Sequence, residues 1–199
     1  MADHYFTDTP MGPEQRRTIR ARIWGDDIEL YTANGVFSGD RLDLGTSVLL
    51  RESPLPQGSP RLLDLGCGYG PIAVALALNC PGAVVDAVDV NDRALALCRD
   101  NARAHGVADR VTVLRPEDAD PSARYAEIWS NPPIRIGKEA LHQLLGSWLP
   151  RLTPTGIARL VVSRNLGADS MQRWLIDQGY DCQRLASAKG FRVLTVKPH

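Results

Sequence analysis

An asparagine followed by two prolines is the most informative short motif of this 199-residue chain. Asn131, Pro132 and Pro133 follow an apolar stretch that predicts a buried strand. Two consecutive prolines fix the backbone and remove two N–H donors, so the Asn131 side-chain oxygen and the Pro132 carbonyl remain as acceptors. These two acceptors match one planar amino group with two N–H donors. The motif therefore indicates an amino nitrogen that is held and activated without a strong base, although the same tripeptide also occurs in ordinary turns.

A glycine-rich turn containing Gly66, Gly68 and Gly70 separates an earlier predicted strand from a predicted helix. Glycines let a ligand approach the backbone closely at the carboxyl end of a strand. The spacing is one residue tighter than in dinucleotide sites, and Asp64 stands two residues before the first glycine. Its carboxylate would repel a pyrophosphate but suits a cationic group, such as the amino or sulfonium end of S-adenosylmethionine. The turn favours this cofactor, with NAD or a purely structural turn as the alternatives.

Further acidic residues fit the rest of a nucleoside. Asp89 ends the second predicted strand, where a carboxylate can accept hydrogen bonds from both ribose hydroxyls. Glu117 and Asp118 follow the third predicted strand. A carboxylate at that point could accept a hydrogen bond from an adenine amino group, or the pair could belong to a solvated loop.

The elements that must position these residues alternate between strand and helix from residue 61 onward. Apolar runs predict strands at residues 61–65, 83–90, 111–114, 126–130 and 157–162. Helices are predicted from Pro71, from Asn91 or Asp92 to Gly106, over residues 138–149 and around residues 171–176. This alternation predicts a mainly parallel, doubly wound α/β sheet with helices on both faces. Two last strands, at residues 182–185 and 191–196, predict an antiparallel hairpin at a sheet edge.

The first part of the chain has a different character. It contains short apolar pieces between glycines and polar residues, and we expect it to be irregular. Residues 53–60 are rich in Pro, Gly and Ser and predict a linker or turn. We therefore divide the chain into an N-terminal extension, residues 1–58, and a core, residues 59–199.

Composition excludes several classes of protein. Apolar residues make up 44% and charged residues 23%, as is usual for a soluble globular protein. Because 23 basic residues are balanced by 23 acidic ones, any contact with nucleic acid must come from a local patch. The arginines between residues 16 and 22 either contact phosphate or form a solvated face. The cysteines lack metal-ligand spacing, so no metal site is expected. Reduced thiols, together with no transmembrane run and no signal peptide, favour a cytoplasmic protein without membrane partners.

Three segments carry a resemblance to a known family. LLDLGCGYGPIAVALA, VDAVDVN and SNPPI resemble the sequential motifs of class I S-adenosylmethionine-dependent methyltransferases, in which Asn-Pro-Pro marks the branch that methylates exocyclic or amide nitrogens. HYFTDTP at residues 4–10 and NGVFSGDRLDLGTSVLL at residues 34–50 make the chain similar to the small-domain (MTS) methyltransferases. Within these, it is similar to the bacterial small-subunit (16S) ribosomal RNA guanine-N2 methyltransferases.

The resemblance implies a fold and an activity. The fold is Rossmann-like, with a seven-stranded, mostly parallel sheet, an antiparallel terminal strand and helices on both faces. The activity is transfer of a methyl group from S-adenosylmethionine to an exocyclic amino group of an RNA base, foremost guanine N2 in ribosomal RNA. The alternatives are another acceptor, namely adenine N6, a protein glutamine amide or a small amine, or a noncatalytic cofactor- or RNA-binding module.

The resemblance also implies roles for individual residues, and residues 1–58 would cover the site. The cofactor would contact Asp64, Gly66, Gly68 and Gly70 at its methionine end, Asp89 at the ribose, Asp118 at the adenine, and Phe37. The target amino group would be held by Asn131, Pro132 and Pro133, and substrate would also contact Ser38, Ile134, Arg135 and Lys138. Ile134 stands where an aromatic residue is common, so the partner that stacks on the base is not identified. The ribosomal RNA enzymes carry a second domain before the catalytic one, so we expect substrate recruitment to differ, through a partner or a self-dimer.

Overall fold

The computed structural model describes residues 13–38, 40–133 and 136–199. The elements, in chain order, are β1 (Arg16–Ile23), β2 (Asp26–Ala33), α1 (Leu44–Glu52), β3 (Arg61–Leu65), α2 (Pro71–Asn79), β4 (Val84–Val88), α3 (Asp92–Ala104), β5 (Val111–Leu114), β6 (Tyr125–Ser130), α4 (Lys138–Trp148), β7 (Leu152–Ser163), α5 (Ala168–Asp177), β8 (Asp181–Ala188) and β9 (Phe191–Lys197). Residues 4–10, which carry part of the family resemblance, lie outside the described residues, as do Ile134 and Arg135, which the sequence assigns to the substrate site.

Seven strands form one sheet in the order β5-β4-β3-β6-β7-β9-β8. All neighbouring strands from β5 to β7 are parallel, and β9 is antiparallel to both β7 and β8. The predicted seven-stranded, mostly parallel sheet with an antiparallel terminal strand is confirmed, as is the hairpin at its edge. The chain leaves β3 in one direction and returns beside it with β6. The carboxyl ends of β3 and β6 therefore meet at the switch point where open α/β sheets bind ligands.

Helices cover both faces of the sheet, as predicted. On one face, α1, α2 and α3 pack against the side chain of Leu62 and its neighbours. On the other face, α4 and α5 pack against Leu63 and Leu65. Because successive side chains of a strand point to opposite faces, Asp64 lies on the same side as Leu62, beneath α2. Within the described ranges, no helix combines the length and the apolar character needed to cross a bilayer.

The region before β3 is more regular than the sequence suggested. The strands β1 and β2 form an antiparallel hairpin that turns at Trp24 and Gly25, both with positive φ. Such a two-residue turn matches the twist of a hairpin but is usually signalled by Asn-Gly, which is absent here. Ile19 and Leu30 from this hairpin are buried in the same cluster as α2 and α3. The expectation of an irregular segment was therefore wrong, because this packing stabilises two strands whose apolar residues are interrupted by charged and polar ones. Residues 53–60 form a loop, as predicted.

Candidate active site

A cavity of about 400 Å³ opens at the carboxyl ends of β3, β4 and β6. Its wall comes from the glycine loop after β3, the end of β4, the turn after β6, and the segment between β2 and α1. The loop after β7 and the start of β9 complete it. A volume of this size suits a nucleoside-sized ligand. The cavity brings together these predicted site residues: Phe37, Ser38, Gly66, Gly68, Asp89, Asn131, Pro132 and Pro133.

The glycine loop folds back over the end of β4. The backbone N–H groups of Gly66 and Cys67 donate hydrogen bonds to the Val88 carbonyl, at 2.8 and 2.9 Å. Gly66 and Gly68 have φ values of 75° and 56°, a region that favours glycine. The loop therefore needs glycine for its own path, and it presents backbone rather than side chain to the cavity.

Asp64 lies behind this loop and is fully buried. Its Oδ2 accepts a hydrogen bond from the Ala73 backbone N–H at 2.9 Å, which holds the side chain against the start of α2. Its Oδ1 is buried and has no hydrogen-bond partner among the described residues. Burial raises the pKa of this carboxyl to about 8, against the lowering effect of the Ala73 N–H. A buried oxygen that lacks a donor, one residue from the cavity wall at Leu65, fits a cationic ligand group.

Asp89 connects the glycine loop to the start of α3. Its Oδ2 accepts from the Gly68 N–H at 2.8 Å, and its Oδ1 accepts from the Asn91 N–H at 2.9 Å. Burial raises the pKa of Asp89, and these backbone donors oppose the shift. Asn91 caps α3 by accepting from the Ala94 N–H, and its Nδ2 donates to the Gly35 carbonyl at 3.0 Å. This arrangement ties the segment that carries Phe37 to the end of the cavity at Asp89.

Besides Asp64, which lies behind the glycine loop, three predicted site residues lie outside the cavity wall. Asp118 is exposed in a short 3-10 helix, Pro116–Asp118, of which only Pro116 reaches the cavity. Lys138 is exposed at the first residue of α4. Gly70 precedes α2, where a Cβ would lie 2.5 Å from Cys98 Sγ, so this glycine allows α2 and α3 to approach closely. The roles assigned to these three residues stay predictions.

Asn131 lies in the turn after β6, and both hydrogens of its side-chain amide are bound by the first turn of α1. Asn131 Nδ2 donates to Asp43 Oδ1 at 2.6 Å and to Thr46 Oγ1 at 3.0 Å. An ionised carboxylate only accepts, so the nitrogen of the amide, not its oxygen, must face Asp43. The Asn131 oxygen accepts no hydrogen bond from the described residues. Ser130 anchors the same turn by donating to the Leu65 carbonyl at 2.6 Å.

Sequence reasoning did not single out Asp43, Thr46 or Phe191, although all three line the cavity. Asp43 is the N-cap of α1, a role that an aspartate just before a partly apolar helical stretch could have signalled. Phe191 is the first residue of β9, and a Cβ on Gly45 would lie 3.0 Å from its ring. The ring therefore packs against the first turn of α1, at the same end of the cavity as Asp43.

The arginines of β1 are largely neutralised by neighbouring acids. Arg16 pairs with Glu14 and with Asp100, the latter at 2.8 Å. Arg17 pairs with Asp40, and Arg20 pairs with Glu29 at 2.9 Å. Exposed pairs of this kind weaken the case for a phosphate-binding patch on β1. Across the described ranges, no cluster of three or more His, Cys, Asp or Glu side chains could hold a metal ion.

Comparison with known families identifies the family to which the chain belongs. The profile of the methyltransferase small domain family matches residues 27–195. The chain therefore belongs to the methyltransferase small domain family, and by this membership it is an S-adenosylmethionine-dependent methyltransferase. The buried, donor-less oxygen of Asp64 and the glycine loop fit the cationic methionine end of that cofactor.

Individual relatives show how similar the chain is to particular proteins. The chain is 28% identical over 200 residues to an uncharacterised protein of Bacillus subtilis, YbxB, with 99% of both chains covered. It is 37% identical over 146 residues to the ribosomal RNA small subunit methyltransferase C of Shewanella baltica, which covers 70% of this chain but only 41% of that relative. The fold is similar, with a TM-score of 0.77 and 24% identity, to the Thermus thermophilus 16S rRNA N2 G1207 methyltransferase (RsmC) in complex with AdoMet and guanosine. That match covers 94% of this chain and 52% of the other.

Proposed function

We propose that this protein transfers the methyl group of S-adenosylmethionine to the exocyclic N2 amino group of a guanine in ribosomal RNA. The observation that carries the proposal is the fixed orientation of the Asn131 amide, whose nitrogen is bound to Asp43 and Thr46. Its oxygen is thereby available to an amino donor, beside the Pro132 carbonyl. The similarity to small-subunit ribosomal RNA methyltransferases supports guanine N2 as the acceptor.

The chain's own residues bind and orient the reactants. Bound S-adenosylmethionine supplies an electrophilic methyl group on a sulfonium. Asn131 Oδ1 and the Pro132 carbonyl accept the two hydrogens of the substrate amino group, so that its lone pair is directed away from them. The new N–C bond forms as the C–S bond breaks, the sulfur keeps that electron pair, and the nitrogen then releases one proton to solvent. Alignment of the reacting atoms supplies much of the rate. No strong base is required.

We also propose that residues 1–58 act as an extension that covers the core formed by residues 59–199. The contribution of Phe37, Ser38, Asp43 and Thr46 to the cavity wall supports this division. These residues come from the segment between β2 and the first turn of α1. They contact both the Asp89 end and the Asn131 end of the cavity, so the extension would contribute to cofactor and to substrate binding.

The experiment is a transfer assay with tritiated S-adenosylmethionine. Purified protein is offered total RNA, 30S subunits, DNA and protein extract from a strain that lacks the gene. We expect label in RNA, recovered as N2-methylguanosine after digestion to nucleosides. Label that enters DNA or protein instead would refute the proposed acceptor but keep the chemistry.

Two asparagine variants separate catalysis from binding. Asn131→Ala should reduce transfer to a small residual rate while calorimetry shows an unchanged affinity for the cofactor. Asn79→Ala is a matched control, because Asn79 donates to the Ala75 carbonyl at the end of α2 and does not line the cavity. Transfer at the parent rate in Asn131→Ala would show that the amide does not hold the acceptor.

A further inference from the structure

One carboxylate oxygen, Asp43 Oδ1, both caps α1 and binds the asparagine of the proposed acceptor site. Asp43 Oδ1 accepts from the Thr46 backbone N–H at 3.0 Å, which caps α1, and from Asn131 Nδ2 at 2.6 Å. Thr46 Oγ1 accepts the second Nδ2 hydrogen at 3.0 Å. The first turn of α1 therefore binds the whole amino half of this amide, from a position 85 to 88 residues away in the chain.

This arrangement selects one of the two orientations of the amide. A half-turn about the last side-chain bond would place the Asn131 oxygen against the Asp43 carboxylate, where two acceptors repel each other and both hydrogens lose their partners. The side chain of Thr46 is buried, so water does not readily replace its hydroxyl. Removing either acceptor leaves the amide free to turn or to tilt.

We infer that Asp43 and Thr46 are positioning residues for methyl transfer, acting through Asn131. They fix the direction in which the Asn131 oxygen meets the acceptor. This inference rests on the proposed function in so far as the acceptor is an amino group. It assigns the extension before β3 a part in the reaction itself, because the capped start of α1 sets the geometry of the turn after β6.

The first test removes the Thr46 hydroxyl with little change in shape. Thr46→Val should lower kcat about tenfold, as expected when one orienting hydrogen bond is lost. The affinity for S-adenosylmethionine should stay unchanged, the protein should still unfold cooperatively in urea, and Thr46→Ser should restore kcat. Thr32→Val is the matched control, because Thr32 is fully buried, its hydroxyl has no hydrogen-bond partner among the described residues, and it does not line the cavity. A Thr46→Val enzyme with the kcat of the parent would overturn the inference.

The second test asks whether the effect passes through Asn131. In a double-mutant cycle, Thr46→Val should cost nothing further once Asn131 is alanine, because the group that it positions is gone. A purely structural role would instead give additive losses. Asp43→Ser supplies a parallel arm, since serine keeps the N-cap but is too short to reach Asn131 in the same way.

A readout that needs no acceptor keeps this inference separate from the proposed function. The side-chain amide of Asn131, observed by ¹H–¹⁵N NMR and assigned with Asn131→Ala, should exchange slowly in the parent protein. It should exchange much faster in Thr46→Val and in Asp43→Ser. Fast exchange in the parent would refute the contact. Label in DNA or protein would refute only the proposed acceptor, because the cycle is then run with whichever substrate is labelled.

Discussion

Substituting Asp64 by asparagine should change how stability depends on pH. Burial raises the pKa of this carboxyl to about 8 in the folded protein, from an ordinary value of 3.8. Between these two values the folded state retains a proton that the unfolded state has released. Raising the pH therefore favours the unfolded state, by about 1.4 kcal/mol per pH unit. From pH 4 to pH 7 this single group should remove roughly 4 kcal/mol from the free energy of unfolding.

Urea denaturation of the cofactor-free protein between pH 4.5 and pH 8 measures the effect. Asp64→Asn should match the parent at the acid end and become increasingly more stable than the parent as the pH rises. Asp89, whose pKa burial also raises, and His142, whose pKa burial lowers, are present in both proteins and cancel in the difference. Stability curves that run parallel for the two proteins would refute the argument that the Asp64 carboxyl is buried with one of its oxygens unpartnered among the described residues.

The titration of Asp64 should also appear in cofactor binding. Here a rise in pH should strengthen binding, although it lowers the stability of the cofactor-free protein. At pH 7 only about one tenth of the Asp64 side chains are ionised if the pKa is about 8. A cationic methionine end selects that ionised fraction, so affinity for S-adenosylmethionine should rise about tenfold per pH unit between pH 5.5 and pH 7. Calorimetry in buffers of different ionisation enthalpy should show close to one proton released on binding. Asp64→Asn should bind weakly and without this slope, and an unchanged affinity would show that the cofactor does not use Asp64.

Three further predictions concern other parts of the site and its support. Gly70→Ala should lose roughly 2–4 kcal/mol of stability in urea denaturation, because its φ is +88° and the new Cβ would meet Cys98, whereas Gly106→Ala, with no atom within 4 Å of its Cβ, should lose less. Phe191→Leu should raise the KM for the RNA acceptor severalfold in the transfer assay and leave the affinity for cofactor unchanged, if its ring stacks on the base. Arg159→Met should destabilise the protein by about 3–5 kcal/mol in thermal or urea unfolding, because it leaves Glu127, paired with it at 2.9 Å, without its cation inside the sheet.

The cofactor half of the site is readable from the sequence because its parts are close together in the chain. The strand bounds 61–65, the start of α2 at Pro71 and the cap at Asn91 all follow from glycine, proline and asparagine at element ends. Asp89 lies 21 residues after Gly68, within one βαβ unit, and the two are hydrogen bonded. Local signals of this kind fix both the fold class and the place of the cavity.

The acceptor half of the site could be read only in part, because the sequence indicates the turn with Asn131, Pro132 and Pro133 but not the residues that pack around it. Its parts are the first turn of α1, the turn after β6 and the start of β9, which tertiary packing alone brings together. Asp43 looks like an ordinary helix cap in the sequence, and nothing in its neighbourhood indicates that its free lone pairs meet an amide 88 residues later. The β1–β2 hairpin was missed for a related reason, since its strands are stabilised by packing with α1 and α3 rather than by their own pattern.

The cofactor half and the acceptor half of the site are held by different elements, so substitutions can change one half without the other. The cofactor contacts predicted here come mainly from the β3–α2 and β4–α3 connections, which are held by backbone hydrogen bonds to Val88 and Asp89. The acceptor contacts depend on side-chain hydrogen bonds between α1 and the turn after β6, and on the ring of Phe191 packed against Gly45. Substitutions in the first turn of α1 can therefore alter the orientation or the identity of the acceptor while cofactor binding stays intact. If that separation is correct, variants at Thr46 and Phe191 will differ from the parent in kcat or in acceptor KM and will share one affinity for S-adenosylmethionine.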